Sequence, residues 1–285
     1  MLHLTECPRD AMQGIKTFIP TERKIQYLSL LLKCNFPVLD AGSFVSASAI
    51  PQMADTAAVF DAIAEVNSKT KILAIVANAR GAAEAASHSA VSVLGYPFSV
   101  SDTFQKRNTN ASIDESYGRL EEIINITQKN QKQLRVYLSM AFGNPYGDQW
   151  SPEKVALIAQ NLKRMGVAHL ALSDTIGSST PESITSLYTL CRLEFPQINW
   201  SLHLHALPEA VLAKLEAAWR AGCRELDAAM LGFGGCPMAA DALTGNMQTE
   251  RVMEWCKQNE IETGVNIEAF NHAQEFAQQI FTQYH

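Results

Sequence analysis

The sequence predicts an α/β chain closed into a (β/α)8 barrel, the TIM-barrel architecture, with a short C-terminal helical extension. Three observations predict it. A short apolar strand, a loop and an amphipathic helix recur roughly every 30 to 35 residues, the pattern of parallel βαβ packing, and the unit occurs eight times. Neither GxGxxG nor GxxxxGK[ST] occurs, whereas an open doubly wound sheet normally carries its phosphate fingerprint after the first strand. The chain has 285 residues and no linker or shift of composition divides it. Barrels of this kind reach that size as one unit, so residues 1–285 read as one catalytic domain.

Each element has a local reason. Strand one spans Leu2 to Cys7, and the helix after it places Ile25, Leu28 and Leu32 on one face. Strands two, three and four are the apolar runs Val38 to Ala41, Ile72 to Ala77 and Ala90 to Phe98. Ser112-Ile113-Asp114-Glu115 is a capping box that opens the next helix. Strand five runs from Leu134 to Ala141, and Ser151-Pro152 sets proline at the first helical position. Met165-Gly166-Val167 turns that helix into strand six, Ala168 to Ser173, and Thr180-Pro181 starts the next. Strand seven is Ile198 to His205, followed by a helix with Leu212, Leu215 and Trp219 on its core face. Ala221-Gly222-Cys223 closes that helix and begins strand eight, Cys223 to Met230. The tail from Gly264 to His285 reads as helical, placed over the barrel or at a subunit contact.

Composition narrows the function. Hydrophobic residues make up 47% and charged residues 18%, which suits a folded chain with an ample core. A net charge of −6, with no basic stripe, argues against nucleic-acid binding. No apolar run is long enough to span a bilayer. The six cysteines lack the paired spacing of a zinc ribbon or a redox motif. With no leader-like N-terminus, a cytoplasmic protein with reduced thiols is expected.

Chemistry-bearing residues gather at the C-terminal ends of the predicted strands, where such barrels hold their sites. On strand seven Ser201, His203 and His205 share one face while Trp200, Leu202 and Leu204 share the other. Two imidazoles therefore stand side by side at a strand end. Strand one is followed by Pro8-Arg9-Asp10, strand two ends in Asp40 and strand six in Asp174-Thr175. Strand eight leads into the glycine-rich Gly232-Phe233-Gly234-Gly235-Cys236-Pro237 and then Asn246. Two histidines, an aspartate and an amide offer nitrogen and oxygen donors to a divalent cation, Mg2+ or Mn2+ by the oxygen-leaning set, with Zn2+ still open. Arg9 offers a fixed positive fork to a developing oxyanion. Cys236 sits where a thiol could move a proton. The other five cysteines read as small buried hydrophobes.

Pro8-Arg9-Asp10-Ala11-Met12-Gln13, Ser43-Phe44-Val45-Ser46, Pro51-Gln52-Met53-Ala54-Asp55, Asp174-Thr175-Ile176-Gly177, His203-Leu204-His205, Gly234-Gly235-Cys236-Pro237 and Gly245-Asn246 run in one order along nearly the whole chain. The set resembles the 3-hydroxy-3-methylglutaryl-CoA lyase family of the DRE-TIM metallolyases. The resemblance implies a retro-Claisen cleavage of hydroxymethylglutaryl-CoA to acetyl-CoA and acetoacetate with a bound divalent cation. It implies Asp10, His203, His205 and Asn246 as metal ligands, Arg9 as the partner of the enolate, Cys236 as its proton donor, and Asp174 and Asp40 as further catalytic residues. Lys16, with Gln13 and Asn78, would approach the CoA moiety, and Arg80, Lys106 and Arg107 are weaker candidates. A homodimer is what the family suggests.

The chain departs from the family pattern at several places. Thr5 stands for a glutamate, Asp40 for a longer acid, Ala206 for an aspartate after the histidines, Met140 for a cysteine and Ala11 for a glycine. These changes bear on the acyl group more than on the metal. A related lyase or condensing enzyme with another acyl group, or a homologue that binds metal and CoA without turnover, are the alternatives.

Overall fold

The computed structural model describes residues 1–235 and 244–285. Eight parallel strands form a closed barrel in chain order, β1 to β8. They are β1 (His3–Glu6), β2 (Val38–Ser43), β3 (Lys71–Ile75), β4 (Val91–Ser99), β5 (Gln133–Ser139), β6 (His169–Asp174), β7 (Asn199–Leu204) and β8 (Glu225–Ala228). Each falls on the run the sequence predicts.

The helices are α1 (Pro8–Gln13), α2 (Thr21–Leu31), α3 (Thr56–Ile63), α4 (Ala79–Ser87), α5 (Asp102–Thr109), α6 (Ile113–Lys129), α7 (Pro152–Arg164), α8 (Pro181–Glu194), α9 (Val211–Arg220), α10 (Thr249–Gln258) and α11 (Ile267–Tyr284). The predicted caps are present. Ser112 and Glu115 bond reciprocally at the start of α6, and Thr180 and Ser183 do so at α8. A cap of this kind contributes about 1 kcal/mol. Gly166 and Gly222 both take φ +95, turning α7 into β6 and α9 into β8.

Strand parity divides the side chains between two cores. Leu4, Leu39, Leu94, Leu138, Leu172, Leu202 and Leu226 face outward into one continuous core beneath the helices. A smaller set, Leu73, Ile75, Val93, Tyr137 and Ala171, packs inside the barrel. Gly95 belongs to that inner layer because a Cβ there would lie 2.7 Å from Ile75 Cδ1 and 2.9 Å from Leu73 Cδ2. Opposite this apolar half the interior is polar. Thr5 pairs in register with Asp227, and Asp227 with His203, so the three occupy one layer.

Two details differ from the sequence reading. Leu212 is exposed, because α9 turns Val211, Leu215 and Ala218 to the core instead. The C-terminal helix α11 packs on the flank of the barrel against α2, with Tyr27 and Phe276 rings stacked 6.3 Å apart. Its far end stacks Phe281 on Phe233 at 4.4 Å.

Candidate metal centre

The site begins with a helix of six residues. Pro8 takes the first position of α1, where its missing N–H costs nothing, and the turn aims Arg9, Asp10 and Gln13 over the end of the barrel. Arg9 binds both oxygens of Asp40, through Nε at 3.1 Å and through Nη2. Its Nη1 donates to Asp10 Oδ1 at 3.0 Å and to Gln13 Oε1 at 2.9 Å. Gln13 Nε2 in turn donates to Asp10 Oδ1 at 2.7 Å. Burial by itself pushes the Asp10 carboxyl up, but Arg9, the neighbouring imidazoles and Asn246 outweigh it and hold Asp10 down at about 2. Asp10 is thus ionised across the working pH range.

His203 and His205 point inward from the end of β7, as alternation along a strand requires. His203 Nδ1 lies 3.2 Å from Asp227 Oδ2, and His205 Nδ1 lies 2.7 Å from the Thr244 carbonyl. A carbonyl can only accept, so His205 carries its proton on Nδ1, and the Asp227 carboxylate claims the Nδ1 proton of His203 in the same way. Both lone pairs are left on Nε2, and the two Nε2 atoms face each other at 3.2 Å. Burial lowers the His205 pKa and His203 beside it lowers it further, which keeps its ring neutral. For His203 burial acts in the same direction, but the Asp227 carboxylate outweighs it and the pKa is raised.

Asn246 completes the ring. Its Nδ2 donates to Asp10 Oδ2 at 2.6 Å and to the Phe233 carbonyl at 2.9 Å. Its Oδ1 is buried without a hydrogen-bond partner among the described residues. One ligand atom each from Asp10, His203 and His205 lie within 4.8 Å of one another. Two opposed lone pairs, an ionised carboxylate and an orphaned amide oxygen fit a divalent cation, which would satisfy all four. Cys7, His203 and Asp227 are also close. There, however, His203 Nδ1 is already bonded to Asp227, and burial pushes the Cys7 thiol well up, so Cys7 remains a neutral packing residue.

A cavity of about 130 Å³ opens over this ring. Its polar wall includes Arg9, Gln13, Asn108, Ser139, Ser173 and Thr175, and its apolar wall Val45, Ile50, Ile75 and Phe104.

Some expected residues are elsewhere. Asp174 shares the outward face of its sheet with Leu204, its register partner, and not with His203. Its carboxylate accepts from Ser179 N at 3.1 Å, from Ser179 Oγ and from Lys214 Nζ at 2.8 Å. Asp174, expected as a catalytic residue, is thus placed behind the cavity wall rather than among its lining residues. Asn78 spends its side-chain oxygen on capping α4 through Gly81 N at 2.9 Å, and neither it nor the exposed Lys16 lines the cavity. Gln13 does line it, but braces Arg9 and Asp10. Cys236 lies outside the described residues.

Against known proteins, the family model described as HMGL-like matches residues 4–277. The chain belongs to the HMGL-like family. This HMGL-like chain is 35% identical over 271 residues to the protein named hydroxymethylglutaryl-CoA lyase, mitochondrial, of Mus musculus, covering 94% of the chain and 82% of that relative. It superposes on the HMG-CoA lyase of Bacillus subtilis with a TM-score of 0.91 at 30% identity, over 98% of this chain and 93% of the other. An HMG-CoA lyase of Acinetobacter baumannii, solved in complex with coenzyme A and 3-methylmalate, matches at a TM-score of 0.89 and 27% identity, over 98% and 91% of the two chains.

The sequence reading missed the groups that hold the candidate ligands in place. Asp227 binds His203 and, through its other oxygen, accepts from Arg135 Nη1 at 3.2 Å. Arg135 also donates to Thr5 Oγ1 at 3.0 Å, so the departure at Thr5 falls in this buried array. Behind β7, Lys214 donates to the His205 carbonyl at 2.8 Å. A signal existed for Asp227, an acid between Leu226 and Ala228 in an apolar strand. Asp227→Asn should weaken Mn2+ binding by roughly 10- to 100-fold, the usual effect of removing a ligand's own partner. It should also destabilise the fold by about 3–5 kcal/mol, because Arg135 is buried and, among the described residues, keeps only Glu225, at 3.9 Å, as an ion-pair partner. Isothermal titration with Mn2+ and urea unfolding check the two effects.

Proposed function

We propose that this chain is a divalent-cation-dependent carbon–carbon lyase that cleaves 3-hydroxy-3-methylglutaryl-CoA to acetyl-CoA and acetoacetate. The observation that carries the reading is the ring of four donors: two Nε2 lone pairs 3.2 Å apart, the orphaned Asn246 Oδ1 and the ionised Asp10. A cation held by Asp10, His203, His205 and Asn246, Mg2+ or Mn2+ by the donor set, would chelate substrate oxygens and ease loss of the 3-hydroxyl proton. In the cleavage the 3-hydroxyl gives up its proton and the C2–C3 bond breaks. C3 becomes the ketone of acetoacetate, and the bonding pair passes into the enolate of acetyl-CoA, which then takes a proton at C2.

The chain's own residues shape that path. Arg9 lines the cavity with four of its five N–H groups committed to Asp40, Asp10 and Gln13, so its plane is locked before charge develops. Asp40 sets the guanidinium, and the remaining Nη2–H is the donor offered to the enolate oxygen. Cys236 is the proposed donor of the C2 proton. Apolar side chains on one wall exclude water from the enolate, and the hydroxyls of Ser139, Ser173 and Thr175 meet the polar end of the acyl chain.

The decisive assay is release of acetoacetate from hydroxymethylglutaryl-CoA by protein loaded with Mg2+ or Mn2+, coupled to a dehydrogenase that reads acetoacetate. Absence of product, with intact Mn2+ binding, sinks the assignment. Turnover only on other 3-hydroxyacyl-CoA thioesters favours the neighbouring reading of a different acyl group, for which the apolar wall of Val45, Ile50 and Phe104 is the specific observation. Cys236→Ala should lower turnover about 100-fold, within the usual reach of a positioned proton donor, and leave Mn2+ affinity unchanged.

No helix among the described residues is long and apolar enough to cross a membrane. The five described cysteines are free and buried. Unpaired thiols support a reducing compartment, of which the cytoplasm is the one we propose.

A further inference from the structure

Glu6 ends β1 on the outward face, and its carboxyl reaches two points far along the chain. Oε1 accepts from Met230 N–H at 2.7 Å, and Oε2 accepts from Thr249 Oγ1 at 2.6 Å. Glu250 acts beside it, its Oε1 accepting from Leu231 N–H at 2.7 Å. Met230 and Thr249 are the two feet of the segment that leaves β8 and returns to α10. The returning arm is laid along the strand ends: Ala206 N bonds Gly245 O at 3.0 Å, Met247 N bonds Leu204 O at 3.2 Å, and Ala229 N bonds Met247 O at 2.9 Å. Asn246 stands in the middle of that arm.

The two arms touch backbone to backbone, since a Cβ on Gly245 would lie 2.1 Å from the Gly232 carbonyl oxygen. The outgoing arm is also bent through Leu231 at φ 63, a left-handed conformation that a leucine adopts only when its surroundings hold it there. What holds it is the pair of carboxyls that take the N–H groups of Met230 and Leu231.

We propose that Glu6, assisted by Glu250, is a positioning residue for the reaction. It ties both feet of the 230–249 segment to the strand that leads into Asp10, and so sets Asn246 Oδ1 toward His203 and His205. The inference rests on the reading of Asn246 as a cation ligand. The chemistry asked of Glu6 is one oxygen that accepts a backbone N–H and a second polar atom that meets a hydroxyl. Glutamine supplies both, with its carbonyl toward Met230 and its amide toward Thr249. Methionine supplies the volume and neither bond. Burial pushes the Glu6 carboxyl up to about 8, so a neutral amide in its place adds no large electrostatic change near pH 7.

The test compares Glu6→Gln, Glu6→Met, Thr249→Val and Asn246→Ala in the full chain, by Mn2+ titration and by amide hydrogen exchange. Glu6→Met and Thr249→Val should weaken Mn2+ binding about 10-fold or more while Glu6→Gln stays within about 2-fold of the parent protein. The first two should also speed exchange at residues 230–231 and 245–249 and leave β3 to β6 protected. Parent-like exchange in both overturns the proposal. So does parent-like Mn2+ affinity in both when Asn246→Ala has lost it. If Asn246→Ala binds Mn2+ as the parent does, the ligand reading has failed, and faster exchange in Glu6→Met still reports the tie between Glu6 and the segment. Should Glu6→Met not fold, Thr249→Val, which removes one hydroxyl at constant shape, decides the question by the same two readouts.

Discussion

Asp10→Asn should abolish both cation binding and turnover while the barrel stays folded. The substitution keeps the shape of the side chain and one carbonyl oxygen, which can accept from Arg9 and Gln13 or from Asn246 but not from both sides. It removes the only carboxylate among the described residues that shares the ring with His203 and His205. It also sets an amide against Asn246 Nδ2, which now donates to Asp10 Oδ2 at 2.6 Å, or else against the donors of Arg9. Either way a donor meets a donor, and a cation meets one negative charge fewer. A bound cation supplies several kcal/mol of transition-state stabilisation, and each 1.36 kcal/mol is tenfold in rate, so turnover should fall by roughly 1000-fold or more. A second reading needs no substrate. Ligand at about 100 times its dissociation constant stabilises a fold by about 2.7 kcal/mol, so excess Mn2+ should raise the melting temperature of the parent by several degrees and leave that of Asp10→Asn unmoved. A variant that still shifts with Mn2+ would show the cation bound elsewhere.

Arg9→Lys should cost about 100- to 1000-fold in kcat, the range seen when one fixed donor to a developing oxyanion is lost, with much less change in Mn2+ affinity. Charge is conserved, so the effect isolates geometry. A guanidinium spans both Asp40 oxygens, Asp10 and Gln13 at once, whereas an ammonium is a point charge on a flexible stem. In the lysine variant Asp40 draws the ammonium toward itself, and the enolate loses an immobile partner. Stopped or steady-state kinetics with matched Mn2+ occupancy checks this. Equal kcat would mean that Arg9 serves only to balance Asp10 and Asp40.

The two predictions separate two kinds of residue. On the proposed reading Asp10 acts by touching the cation, and its loss is read by binding alone. Arg9, on the same reading, acts on charge that exists only during the reaction, and its loss is read in kcat. Asp227 and Glu6 act one step further out, through His203 and Asn246, and their loss is read as weakened rather than abolished binding.

Much of the barrel was legible because its signals are local. Eight apolar runs, the caps at Ser112 and Thr180 and the turns at Gly166 and Gly222 each depend on a few neighbouring residues, and all are found where the sequence puts them. The pairing of His203 with His205 was legible for the same reason, since alternation along one strand is a property of that strand. The ring itself needed only the rule that barrel sites lie at strand ends, and Asp10, both histidines and Asn246 meet there.

Tertiary structure alone decided which polar groups face the cavity and which brace it from behind. Asp174 and His203 both lie at the ends of strands, but the register between β6 and β7 pairs His203 with Ser173 and turns Asp174 outward to Lys214. Glu6 meets Met230 and Thr249, and Arg135 meets Asp227, across more than 90 residues of intervening chain. Local patterns say nothing of such partners, because the closure of the barrel, not the chain around each residue, brings them within hydrogen-bond reach.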